Sequence, residues 1–152
     1  MSTMLSGLDV AVFYPGGAPI AFVEVKNAQI MSTAFAIDYR DRLLADLALP
    51  WSPYFLIVSQ ELGYIWDHRP WGEVRPSSPV EFSMRPVVSR YMPRLEDGAW
   101  LGGFSLNFIV IQWLDDLASQ GVDLSSEPEA TLERTGFIDE IRGGIVRTEA
   151  DQ

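Results

Sequence analysis

The chain has 152 residues, 47% of them apolar and 21% charged, which fits one soluble domain with its own core and leaves little room for a second. It contains no cysteine, so a disulfide framework, a thiolate zinc site and a thiol nucleophile are all excluded. A net charge of −10 works against unaided binding to nucleic acid or anionic membranes, and no apolar run is long enough to span a bilayer.

The first 67 residues carry a net charge of −4, residues 68–95 carry +3, and residues 96–152 carry −9. Only the middle stretch is suited to meet a phosphate backbone. The N-terminal MSTMLSGLD lacks the basic flank and apolar core of a signal peptide, so a cytoplasmic location is expected.

In chain order, VAVFY and IAFVEV are rich in β-branched and aromatic residues and are joined by PGGAP, which reads as a hairpin. If the hairpin is symmetric about Gly16-Gly17, facing residues have numbers that sum to 33. Asp9 then faces Glu24, and Lys26, the only lysine in the chain, shares their face because side chains repeat every two residues. Two like charges placed opposite each other destabilise a hairpin, so the pair asks for a chemical reason.

A helix is expected from about Ser32 to Leu47, with Phe35, Tyr39, Leu43 and Leu47 as its apolar stripe. Ser32 or Thr33 is its cap, and Asp38 and Arg42 form an exposed i,i+4 pair. YFLIVSQ (54–60) reads as a strand buried on both faces, ELG as a turn, and YIWDH (64–68) as a further strand.

Residues 69–103, with five prolines, read as an irregular excursion containing a short strand or helical turn near Val87–Tyr91. FSLNFIVIQWLDDLASQG (104–121) reads as a largely buried helix. SSEPEATLERTG follows as a solvated helix with a Ser cap, then a short GFIDEIRGG helix and a frayed VRTEADQ tail. The whole is a mixed-sheet α/β (α+β) domain over 1–152, with a core over 8–68 and C-terminal helices over 104–145.

The order of Asp, a 14-residue spacer and Glu-x-Lys resembles the PD-(D/E)xK superfamily, the restriction-endonuclease-like nucleases. LDVAVFYPGGAPIAFVEVKN is most similar to the N-terminal nuclease domain of type I restriction enzyme motor subunits. YFLIVSQELGYIWDH is similar to that family's next strand pair, and the helical tail looks like small uncharacterised bacterial proteins with this core.

The resemblance implies a nuclease that cleaves DNA with Mg²⁺ or Mn²⁺. Asp9 and Glu24 would be metal ligands, Val25 would lend its carbonyl, and Lys26 would assist the attacking water. Such an ion polarises the phosphoryl oxygen and acidifies a water, and one or two carboxylates suffice to hold it. In that family a leading helix packs on the sheet. Here Leu8 stands where a proline usually precedes the Asp, and only eight residues come before Asp9. The C-terminal helices or a partner chain are therefore expected to cover that face. The alternatives are a non-catalytic interaction or assembly module of the same fold, such as half of a homo-oligomer, and a nuclease subunit that takes its DNA grip from a basic partner.

Arg85, Arg90 and Arg94, with Tyr91 among them, form the one stretch suited to phosphate contacts and base stacking. The competing reading is a surface loop whose arginines pair with nearby carboxylates. The sole histidine, His68, reads as a partly exposed residue closing a strand. Trp71 is the tryptophan expected nearest a surface or partner.

Overall fold

A computed structural model describes residues 8–27, 31–70, 72–73, 77–96, 99–119 and 121–148. Trp71 lies outside them. The elements in chain order are β1 (Val10–Phe13), β2 (Pro19–Val25), α1 (Thr33–Asp46), β3 (Tyr54–Val58), β4 (Leu62–Asp67), β5 (Val80–Ser83), α2 (Arg85–Tyr91), α3 (Gly103–Ala118), α4 (Glu129–Arg134), α5 (Phe137–Ile141) and β6 (Ile145–Thr148). Among the described residues the strands form one mixed six-stranded sheet in the order β5-β4-β3-β2-β1-β6. Only β2 and β3 run parallel, because α1 carries the chain back between them; the other neighbours are antiparallel.

The hairpin has the expected register. Val10 faces Val23, Ala11 faces Phe22 and Val12 faces Ala21, and the register slips by one only beside the turn, at Phe13 and Pro19. Gly17, at φ +101°, takes the left-handed turn position that a side chain would disfavour.

Helices cover both faces of the sheet. On one face Ala11, Phe22, Phe55, Ile57, Tyr64 and Trp66 pack beneath Ile37, Tyr39 and Leu43 of α1 and Leu47 at its C-cap. Ser32 caps α1 by accepting the Phe35 N–H at 3.1 Å, and Asp38 pairs with Arg42 at 3.1 Å on its exposed side. Phe35, expected in the apolar stripe, lies at its margin and is 38% exposed. Arg40 takes the central position instead and is buried with its guanidinium over the Trp66 ring. On the other face Val10, Val12, Val23, Leu56 and Val58 pack against α2, α3, α4 and α5, with Trp113 and Phe137 buried among them. The C-terminal helices thus cover the sheet face opposite α1.

Several expectations need correction. β4 begins at Leu62, not Tyr64, because Ser59 makes the turn alone: its hydroxyl accepts the Leu62 N–H at 3.1 Å, and its own N–H donates to the Leu62 carbonyl at 2.7 Å. Gly63 belongs to the strand, where the Phe82 ring occupies the space a Cβ would fill. The excursion contains both β5 and a full α2.

Residues 125–136 are not one solvated helix. Only Glu129–Arg134 are helical, and Glu129 is fully buried. The described part of the expected frayed tail belongs to β6, which pairs antiparallel with β1 from Phe13↔Ile145 to Val10↔Thr148; residues 149–152 lie outside the described residues. None of the described helices is long and apolar enough to cross a membrane.

Candidate functional site

Asp9 sits one residue ahead of β1, Glu24 near the end of β2 and Lys26 just past it. Alternation along the strands puts all three on the α1 face, at one end of the sheet. The Lys26 N–H donates to the Val58 carbonyl at 2.8 Å, so the main-chain groups of Glu24 and Lys26 face β3 and those of Val25 face the β1 side. There the Val25 N–H donates to Asp9 Oδ2 at 2.8 Å, which fixes the Asp9 carboxylate beyond the end of the β1 ladder. The Val25 carbonyl lies on that same side of β2.

Glu24 is 6% exposed. Its Oε2 accepts the Tyr39 hydroxyl at 2.7 Å, and its Oε1 is buried with no hydrogen-bond partner. Burial is the largest influence on this carboxyl. The hydrogen bond from Tyr39 pulls its pKa down, the neighbouring Asp9 carboxylate pushes it up and Lys26 opposes that push; the outcome is about 8. Without a cation, burial and the neighbouring Asp9 therefore favour the protonated form of Glu24. Lys26 and Asp9 are half-buried. Lys26 Nζ lies 4.5 Å from the Tyr39 ring centroid, and among the described residues it makes no ion pair with either carboxylate.

These residues fit a hard divalent cation. Two adjacent carboxylates, one of them with an uncommitted buried oxygen, and a strand carbonyl on the same side form an all-oxygen donor set. A positive ion could take the place of the Glu24 proton, giving the unpartnered oxygen a ligand bond and offsetting the charge of two ionised carboxylates. Among the described residues no group of three or more His, Asp or Glu converges, so water would complete the shell of any ion held here. No family model, curated protein or solved structure is significantly similar to this chain.

Tyr39 is the site residue that the sequence reading missed. Its place in an apolar stripe masked a hydroxyl aimed at Glu24 and a ring under Lys26. Burial first, then the neighbouring carboxylates, raise its pKa well above the ordinary phenol value, so it acts as a fixed donor.

The three arginines lie apart from this cluster. Arg85 pairs with Glu61 at 3.0 Å on the surface, beside a cavity of about 300 Å³ also lined by Val88, Leu95 and Trp100. Arg90 grips Glu129 with both terminal nitrogens, at 2.7 and 3.1 Å, and Arg94 is exposed. The first two are engaged by carboxylates from elsewhere in the fold, Glu61 and Glu129. His68 closes β4 as expected but is 1% exposed, between the Ser52 carbonyl at 3.0 Å and Arg40 at 3.3 Å.

Proposed function

We propose that the chain is a Mg²⁺- or Mn²⁺-dependent nuclease-like protein of restriction-endonuclease-like fold, hydrolysing DNA phosphodiester bonds at Asp9, Glu24 and Lys26 in a cytoplasmic setting. The observation that carries the reading is the buried, unpartnered Glu24 Oε1 beside Asp9, with the only lysine on the same face. The sheet order and the α1 crossover between parallel β2 and β3 support it by setting both carboxylates at one end of adjacent strands.

Asp9, Glu24 and the Val25 carbonyl would hold the cation, which when bound acidifies a water and polarises the phosphoryl oxygen. Tyr39 orients Glu24 through its hydroxyl and offers Lys26 an aromatic face, which keeps the ammonium near the carboxylates without an ion pair that would quench it. From there Lys26 can hold the attacking water or screen negative charge on the phosphate.

The test is cleavage of single- and double-stranded DNA across divalent cations by wild type, Asp9→Asn and Lys26→Ala. Metal-dependent cleavage lost in both variants is expected, while cleavage that both variants retain would sink the assignment.

A second reading, a non-catalytic assembly module of the same fold, draws on the engagement of Arg85 and Arg90 by carboxylates and on the net charge of −10. Solution scattering and Mn²⁺ calorimetry separate the two. Self-association without metal uptake favours the module.

A further inference from the structure

The strand β6, which the sequence reading did not find, places a cation on the sheet face that carries Asp9, Glu24 and Lys26. β6 pairs with β1 so that Arg147 faces Ala11 and Ile145 faces Phe13. Cross-strand partners share a face, and Ala11 is on the α1 face with Asp9, Glu24 and Lys26. Asp9 stands two positions before Ala11, which makes Arg147 its diagonal neighbour across the β1–β6 boundary. Such neighbours are roughly 7–8 Å apart, within reach of a long side chain. Arg147 is exposed, and among the described residues no carboxylate forms an ion pair with it.

Among the described residues two cations on the sheet flank the carboxylates, while Arg42 of α1, 5.9 Å from the Tyr39 ring, is paired with Asp38. Lys26 is at the end of β2, on the β3 side of Asp9, and Arg147 is on the β6 side. Arg40, on the same helix as Tyr39, is buried toward His68 and Trp66 and does not take part. Arg85 and Arg90 are committed to Glu61 and Glu129.

We infer that Arg147 is the residue that seats a backbone phosphate of the nucleic-acid strand at this site, a binding role that rests on the nuclease reading above. A guanidinium suits it, because its planar fork can give two hydrogen bonds to one phosphate. The contact is to the backbone, so it positions the strand without reading its sequence. In a chain so acidic, one such contact beside the metal ligands carries a large share of the grip.

The test uses full-length wild type, Arg147→Gln, Arg147→Lys and the control Arg142→Gln. Arg142 is also an exposed arginine, but it precedes the start of β6, at the Phe13 end of the sheet. Each protein is assayed for binding of a labelled DNA oligonucleotide in Ca²⁺, for cleavage kinetics in Mn²⁺, and for Mn²⁺ uptake by calorimetry.

For Arg147→Gln the expectation is about tenfold weaker DNA binding, with KM raised and kcat kept. The slope of log affinity against log salt falls by about one, Lys restores part of the loss, and Mn²⁺ uptake is unchanged. Arg142→Gln, which removes the same charge elsewhere, behaves as wild type. An Arg147→Gln protein with wild-type KM and salt slope, or one matched by Arg142→Gln, overturns the role of Arg147 and leaves the nuclease reading standing. If wild type takes up no Mn²⁺ and binds no DNA, both readings fall together.

Discussion

Replacing Glu24 with glutamine should stabilise the metal-free protein, and the gain should depend on pH in a defined direction. In the unfolded chain this carboxyl releases its proton near 4.5, whereas in the native site it holds it to about 8. Between those values the native state binds more protons than the unfolded state, so stability falls as pH rises through the window and levels off above it. At about 1.4 kcal/mol per pH unit, the window sets a ceiling of roughly 5 kcal/mol for the penalty carried by the ionised site at pH 9. Glutamine is the same size and never ionises. Its amide can still accept from Tyr39 and can donate to Asp9, which removes the orphaned oxygen.

The assay is urea unfolding in EDTA at intervals from pH 4.5 to 9, followed by the fluorescence of the buried Trp66 and Trp113. Wild type and Glu24→Gln should be close at pH 4.5 and diverge steadily to a plateau, with the glutamine variant the more stable by a few kcal/mol. The difference between the two proteins cancels every other titration common to both. Millimolar Mn²⁺ should narrow the gap by stabilising only the wild type. Parallel profiles across the whole range would refute the argument, because they would mean that Glu24 ionises freely in the native state.

Two further outcomes follow from buried charge elsewhere. Glu129 is fully buried, with both oxygens on Arg90 and one also accepting the Trp113 indole N–H at 2.9 Å. Glu129→Ala leaves two donors without an acceptor and should cost about 3–5 kcal/mol in urea unfolding, far more than any exposed pair such as Asp38–Arg42. At His68, burial is the main cause of a pKa below the ordinary value, and the neighbouring Arg40 adds to it. The unfolded chain therefore binds a proton that the native state refuses, so stability should fall as pH drops below about 6.5. Because His68 is the only histidine, its ¹⁵N-resolved ring signals can be read directly. They should show a neutral ring protonated at Nδ1, facing the Ser52 carbonyl, and a shift to the charged form above pH 6.5 would contradict this.

The sequence revealed what depends on local period and turn chemistry. The hairpin register and the common face of Asp9, Glu24 and Lys26 follow from a two-residue alternation around one glycine turn, and both are present. The cap and surface ion pair of α1 are equally local. Less visible were features made by segments distant in sequence. Arg40 can be buried because Trp66 and His68 lie beneath it, and Glu129 because Arg90 and Trp113 come from two other helices. No helical periodicity marks a charged residue for burial when its partners lie that far away. β6 has four residues after a Gly-Gly turn, too few for alternation to stand out, so its cation went unread. Tyr39 was legible as packing and illegible as a donor, since a phenol ring satisfies the apolar pattern whether or not its hydroxyl has work to do.

The seam between β1 and β6 joins residues as far apart as Val10 and Thr148, 138 positions along the chain. Contacts of such long range close a large loop, so this seam carries a larger loop-closure cost than the other described strand pairings. Until it closes, the outer rim of β1 is an open template for stray strands, beside the very carboxylates at issue. A chain interrupted ahead of residue 145 would thus leave that border of β1 unpaired and would lack Arg147. The same pairing that covers the outer rim of β1 sets Arg147 in its place on the sheet.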